Sequence, residues 1–122
     1  MRFVIMSKTN EHFEAGNPPS PELMARMATF MQEAAASGAL LHAEGLHPSS
    51  AGARISAHDG VISVTDGPFA DAKELVGGLA FIEARNLAEA VEWGRRFAEA
   101  HDGECEVEIR QVTGPTGPGD YS

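Results

Sequence analysis

A chain of 122 residues has the size of one domain built around one hydrophobic core, and 43% hydrophobic with 22% charged residues is the composition of an ordinary globular protein rather than a disordered or fibrous one. Nine Lys and Arg against 18 Asp and Glu give a formal charge of -9 that repels a phosphate backbone, and no basic cluster is present to meet an anionic membrane, so neither direct nucleic-acid binding nor membrane attachment is expected. The lone Cys105 excludes an intramolecular disulfide and any paired-cysteine metal motif, and the apolar opening Arg2 to Met6 is too short for a signal or a membrane span, so the expected location is the cytoplasm.

Arg2-Phe3-Val4-Ile5-Met6 predicts a first strand with large apolar side chains on both faces, Phe3 and Ile5 on one and Val4 and Met6 on the other. Such a strand requires cover on both sides. Asn10 to Pro19 reads as a loop ending at Ser20, an N-cap residue, with Pro21 at the first helical position. From there Leu23, Met27, Phe30, Met31 and Ala34 recur at helical spacing on one face, and Gly38 supplies the stop. The methionines suit core packing as well as an adaptable ligand surface, and core packing is the simpler reading. Ala39 to Leu46 forms a second strand, with Leu41 and Ala43 on one face and Leu40, His42, Glu44 and Leu46 on the other.

After a Pro/Ser/Gly loop, Ala53 to His58 and Val61 to Thr65 flank Asp59-Gly60, a strong hairpin signal. Ile55, Ala57, Ile62 and Val64 share its apolar face, and Arg54, Ser56, Ser63 and Thr65 its polar one. Asp66-Gly67-Pro68-Phe69 breaks the strand, Ala70 to Leu75 forms a short helical turn, and Gly77-Gly78 leads into a strand over Leu79 to Ala84. Asn86 and Glu89, at capping-box spacing, open a second long helix with Leu87, Val91, Gly94 and Phe97 or Ala98 on one face, ending near Asp102-Gly103. Cys105, Val107 and Ile109 alternate with Glu106, Glu108 and Arg110 in a last strand. Thr113 to Ser122 is a Gly/Pro-rich tail after a single domain over residues 1–112.

With the hairpin treated as an insertion, the order is β-α-β-β-α-β, an α+β, ferredoxin-like arrangement with both helices on one face of an antiparallel sheet. The other face then lacks a cover. Because the first strand is apolar at both parities and no third long helix is available, sheet-to-sheet pairing with a second copy is the simplest solution, and a homodimer is expected.

Among residues that carry chemistry, His42 and Glu44 share a strand face, where a carboxylate favours the protonated imidazole and orients it for proton transfer. Alternation also produces such a pair by chance, as an ordinary polar or interface contact. Asp66 can accept backbone N–H groups and hold the turn before Gly67-Pro68, or act as a general base if burial raises its pKa. Phe69 reads as an anchor for that loop, with ligand stacking as the alternative. Lys73 and Glu74 form surface ion pairs or meet charges across a cleft, where Lys73 suits a small carboxylate, and Arg54 is either solvated or an anion contact. His12, His47, His58 and His101 fall in loops or at element ends without metal-site spacing. Gly67, Gly77 and Gly78 make no phosphate loop, and no nucleophile motif appears. No metal and no cofactor is expected.

The stretch Val64-Thr65-Asp66-Gly67-Pro68-Phe69-Ala70-Asp71-Ala72-Lys73-Glu74 closely resembles the motif for which DGPF-domain proteins, a branch of the YCII-related family, are named. Glu44-Gly45-Leu46, the Gly77-Gly78 step and Glu106-Val107-Glu108-Ile109-Arg110 extend the resemblance over nearly the whole chain except the tail. It implies a dimeric α+β barrel with the site in a cleft between subunits. In the YCII branch a helix-borne histidine and an aspartate near the cleft suggest acid-base chemistry, but the helix Pro21 to Ser37 contains no histidine, so that part does not carry over. DGPF proteins also often occur beside or joined to extracytoplasmic-function sigma factors, which implies an association and no mechanism. Two functions are therefore expected to compete. One is a cofactor-independent small-molecule enzyme using His42, Glu44 and Asp66 near the dimer interface, and the other is a non-catalytic metabolite-binding or regulatory module.

Overall fold

Phe3 and Ile5 lie on the covered side of β1 (Arg2–Lys8), and the sheet assembles around that strand. In the computed structural model, which describes residues 1–101 and 105–113, β1 pairs antiparallel with β5 (Val76–Glu83) on one side and β6 (Val107–Gln111) on the other. β2 (Leu40–Gly45) adds to the outer edge of β5, giving the order β2-β5-β1-β6 among the described residues. Phe3 stands opposite Ile82 and Ile5 opposite Ala80, so these four share the face that α2 (Pro21–Ala36) and α3 (Leu87–Glu99) cover. Phe30 of α2 meets Phe97 of α3 edge-on, with ring centroids 5.3 Å apart, and closes the core over the sheet. The chain is α+β with antiparallel sheets, consistent with a ferredoxin-like arrangement. Among the described residues no helix is long and apolar enough to cross a membrane.

The helix starts follow their caps. Ser20 Oγ accepts the Leu23 N–H at 3.1 Å ahead of Pro21, and Asn86 Oδ1 accepts the Glu89 N–H at 2.9 Å. Gly38, at φ +82°, turns the chain out of α2 in the left-handed region that glycine enters freely. The hairpin pairs β3 (Ala53–His58) with β4 (Val61–Asp66) in the expected register, Ile55 opposite Val64 and Ala57 opposite Ile62. Its turn residues Asp59 and Gly60 both have positive φ, the type I′ geometry. The hairpin forms its own two-stranded sheet and leaves Ile55, Ile62 and Val64 largely exposed.

Four expectations need correction. The segment Asn10 to Pro19 is not all loop: Asn10 Oδ1 accepts the Phe13 N–H at 3.0 Å and starts α1 (Glu11–Glu14), a helix too short to leave a periodic pattern. In β2 the register slips between Leu40, opposite Ile82, and His42, opposite Phe81. That irregularity at Leu41 exchanges the faces, so Leu40 and Ala43 pack on the core while Leu41 is 50% exposed. α3 buries Ala90, Gly94 and Phe97, whereas Leu87 and Val91 stay exposed at 56% and 48%. A Cβ at Gly94 would lie 2.3 Å from Ile109 Cδ1, so the helix approaches β6 on its small residues and not on its bulkier ones. Lastly, β5 begins at Val76 and takes in Gly77 and Gly78, and Cys105 precedes β6 instead of belonging to it. Asp102-Gly103 and the tail from Gly114 onward lie outside the described residues.

The uncovered face of the sheet carries Val4 opposite Phe81 and Met6 opposite Leu79, all half-buried. His42 and Glu44 flank this stripe on β2, and Glu108 and Arg110 flank it on β6.

Candidate functional site

The residues expected to carry chemistry stand in three places. His42 and Glu44 sit on the uncovered sheet face, where Nε2 and Oε1 are 3.2 Å apart and the side chains are 60% and 61% exposed. Asp66, Arg54 and Phe69 gather at the base of the hairpin. Arg54 lays its guanidinium 4.2 Å from the Phe69 ring centroid, so two expected ligand contacts hold each other. Asp66 ends β4 exposed, and among the described residues no group donates a hydrogen bond to its carboxylate. Lys73 and Glu74 lie exposed in a 3₁₀ turn over Ala72–Glu74. Lys73 there borders a polar concavity with Lys8, Glu11, Asp71 and Cys105. Burial pushes the Cys105 thiol above the ordinary cysteine range.

The loop at Gly67 is held by residues that pattern reading does not single out. Its N–H donates to the Gly52 carbonyl at 3.0 Å, and a Cβ there would come 1.7 Å from the Ser49 carbonyl oxygen. Ser49, in a 3₁₀ turn over Ser49–Ala51, accepts the Phe69 N–H on its hydroxyl at 3.0 Å. Its own N–H donates to Glu14 Oε1 at 2.8 Å, and its hydroxyl donates to Glu14 Oε2. One carboxylate on α1 thus fastens the turn, and the turn fastens the loop.

Glu14 also borders a cleft of about 720 Å³ between the first turns of α2, the α1 segment and the ends of β1, β2 and β5. Phe13, Leu23, Met24, Met27, Leu46 and Val76 make its apolar walls. Met27 packs on the core, as the simpler reading expects, and also lines the cleft. None of His42, Glu44, Asp66, Arg54, Phe69, Lys73 or Glu74 lines this cleft. Its polar groups come from elsewhere. Ser7 projects from the covered side of β1, 6% exposed, with Oγ 3.4 Å from the Gly78 carbonyl oxygen. His101, just beyond α3, has Nδ1 2.8 Å from the Phe97 carbonyl oxygen and its ring 4.8 Å from the Phe97 ring. Those two contacts fix its orientation.

The cleft combines an apolar wall with a few fixed polar atoms, the usual make-up of a small-molecule pocket. Among the described residues no group of three or more His, Cys, Asp or Glu side chains comes together to hold a metal ion. Residues 1–113 match the family model of the YCII-related domain. No curated protein matches the chain.

Proposed function

The chain belongs to the YCII-related domain family, and on that premise we propose that it is a small-molecule-binding protein of the DGPF branch, working as a homodimer in the cytoplasm. The observation that carries this reading is the cleft of about 720 Å³ walled by Leu23, Met24, Met27, Phe13 and Leu46. Its volume falls in the range that encloses most of a metabolite's surface. Pairing of two sheets through Val4, Met6, Leu79 and Phe81 supports the homodimer, since it covers the apolar stripe that the protomer leaves half-exposed. Ligand-observed NMR against a metabolite mixture tests the binding reading. The wild type gives hits that Leu23→Trp, with the cleft filled, loses; hits that survive in the variant, or their complete absence, sink it.

A second reading is favoured by one contact, the 3.2 Å approach of His42 Nε2 to Glu44 Oε1. In that reading His42, Glu44 and Asp66 perform acid-base chemistry on a substrate held near the dimer interface. Turnover of a bound metabolite that falls in His42→Gln while its affinity stays the same would favour catalysis at the sheet face. A ligand recovered unchanged from the wild type leaves binding alone.

A further inference from the structure

Several polar side chains in the lining of the cleft already direct a proton at a partner inside the protein and keep acceptor lone pairs. The Ser7 hydroxyl directs its proton to the Gly78 carbonyl oxygen 3.4 Å away and keeps its lone pairs. The Phe97 carbonyl oxygen, 2.8 Å from His101 Nδ1, can only accept, so Nδ1 carries the proton and a neutral ring keeps its lone pair on Nε2. Asn17 directs one amide N–H at the His12 carbonyl oxygen at 3.1 Å and retains Oδ1 as an acceptor beside its second N–H. Pro18 and Pro19, also in the lining, have no N–H to give. Glu14 adds a carboxylate, and the formal charge of the whole chain is -9. Lys8, Thr9 and His47 line the same cleft and can donate, and Lys8 and Thr9 also line the polar concavity that holds Lys73, Glu11, Asp71 and Glu106.

A ligand that suits these groups brings its own donor. We propose that the cleft selects an apolar molecule bearing a hydroxyl, a phenol or alcohol and not a carboxylate, and that one of the two acceptors His101 Nε2 and Ser7 Oγ receives its hydrogen bond. The proposal rests on the cleft being the ligand site. An anionic head would meet these acceptors and the Glu14 carboxylate with Lys8, which also faces Glu11, Asp71 and Glu106, to offset them, whereas a hydroxyl satisfies groups that are otherwise left with unused lone pairs.

Three probes of similar apolar body separate the possibilities: thymol with a hydroxyl, para-cymene with none and para-isopropylbenzoate with a carboxylate. Amide NMR titrations at about pH 8, where imidazoles are generally neutral, give affinity and place of binding together. The wild type is expected to bind thymol at least about tenfold more tightly than either other probe, the scale of one hydrogen bond. Of His101→Phe, which keeps a ring on Phe97, and Ser7→Ala, a small change in a buried position, the one that removes the acceptor lowers thymol affinity about tenfold, and both leave para-cymene unchanged. Equal or tighter binding of para-isopropylbenzoate overturns the donor preference, as does thymol affinity unmoved in both variants. In those cases probe binding that Leu23→Trp still abolishes leaves the cleft reading standing. Failure of the wild type to bind any probe, or full binding by Leu23→Trp, overturns the cleft reading and this proposal with it.

Discussion

Gly67 and Gly94 both stand where a side chain has no room, but their obstacles differ. A methyl group at Gly67 meets the Ser49 backbone carbonyl at 1.7 Å, in a turn pinned by Glu14, whereas at Gly94 it meets the tip of Ile109 at 2.3 Å. The Ile109 tip can rotate away, and alanine gains about 0.5–1 kcal/mol over glycine inside a helix. Gly67→Ala is therefore expected to cost about 2 kcal/mol or more in urea unfolding, and Gly94→Ala to stay within about 1 kcal/mol of the parent. Equal costs would show that the Ser49 turn yields. At Cys105 burial disfavours the thiolate, so its reactive fraction near pH 8 is below that of free cysteine. Alkylation by iodoacetamide should be slower than for glutathione, with its rise displaced to higher pH; a rate equal to that of the free thiol contradicts this. Residues of the site differ in how readable they are. His42 and Glu44 keep a common face because both follow the irregularity in β2. Glu14, Ser49 and Phe69 meet across sequence separations of 35 and 20 residues, and His101 gains its interest only from where α3 ends. No local period encodes such meetings.

At the level of elements, what was legible had a local cause. α2 is announced by a cap, a proline and a stopping glycine, and the hairpin by Asp59-Gly60 with alternation on both sides. Ser20→Ala is expected to cost about 1 kcal/mol in thermal or urea unfolding, the usual value of an N-cap side chain. A loss near zero would mean that α2 is set by its packing alone. Elements governed by tertiary contact were misread. The face of α3 follows the close approach of Gly94 to Ile109, and the faces of β2 follow a register slip against β5. The first turns away Leu87 and Val91 while keeping Gly94 and Phe97 inside, and the second exchanges Leu40 and Leu41, because packing and pairing outweigh simple periodicity.

For the whole molecule, the α+β order, consistent with a ferredoxin-like arrangement, was legible because each long element was, and because the hairpin between β2 and β5 announced itself as an insertion. The uncovered sheet face gives the homodimer its sharpest test. Phe81→Glu puts a charge into the stripe formed with Val4 and should halve the mass measured by light scattering at micromolar concentration while far-UV circular dichroism is retained. A wild type that is already monomeric there would leave the stripe uncovered and defeat the dimer.

The Leu46 N–H donates to the Gly77 carbonyl at 2.9 Å, next to the pairing of Gly45 with Gly78. The chain therefore leaves the sheet and returns to it at almost the same point, and residues 47–76 are an excursion from what could be a tight reverse turn. Splicing an Asn-Gly turn in their place should give a shortened protein that retains the four-stranded sheet and both long helices, seen as preserved amide shifts for β1 and α3. The shortened protein would lose Val76, His47 and Pro48 from the cleft and the Glu14 fastening with them. Sheet framework and excursion would then be separable units, and the splice point a place where foreign loops can be grafted without rebuilding the framework.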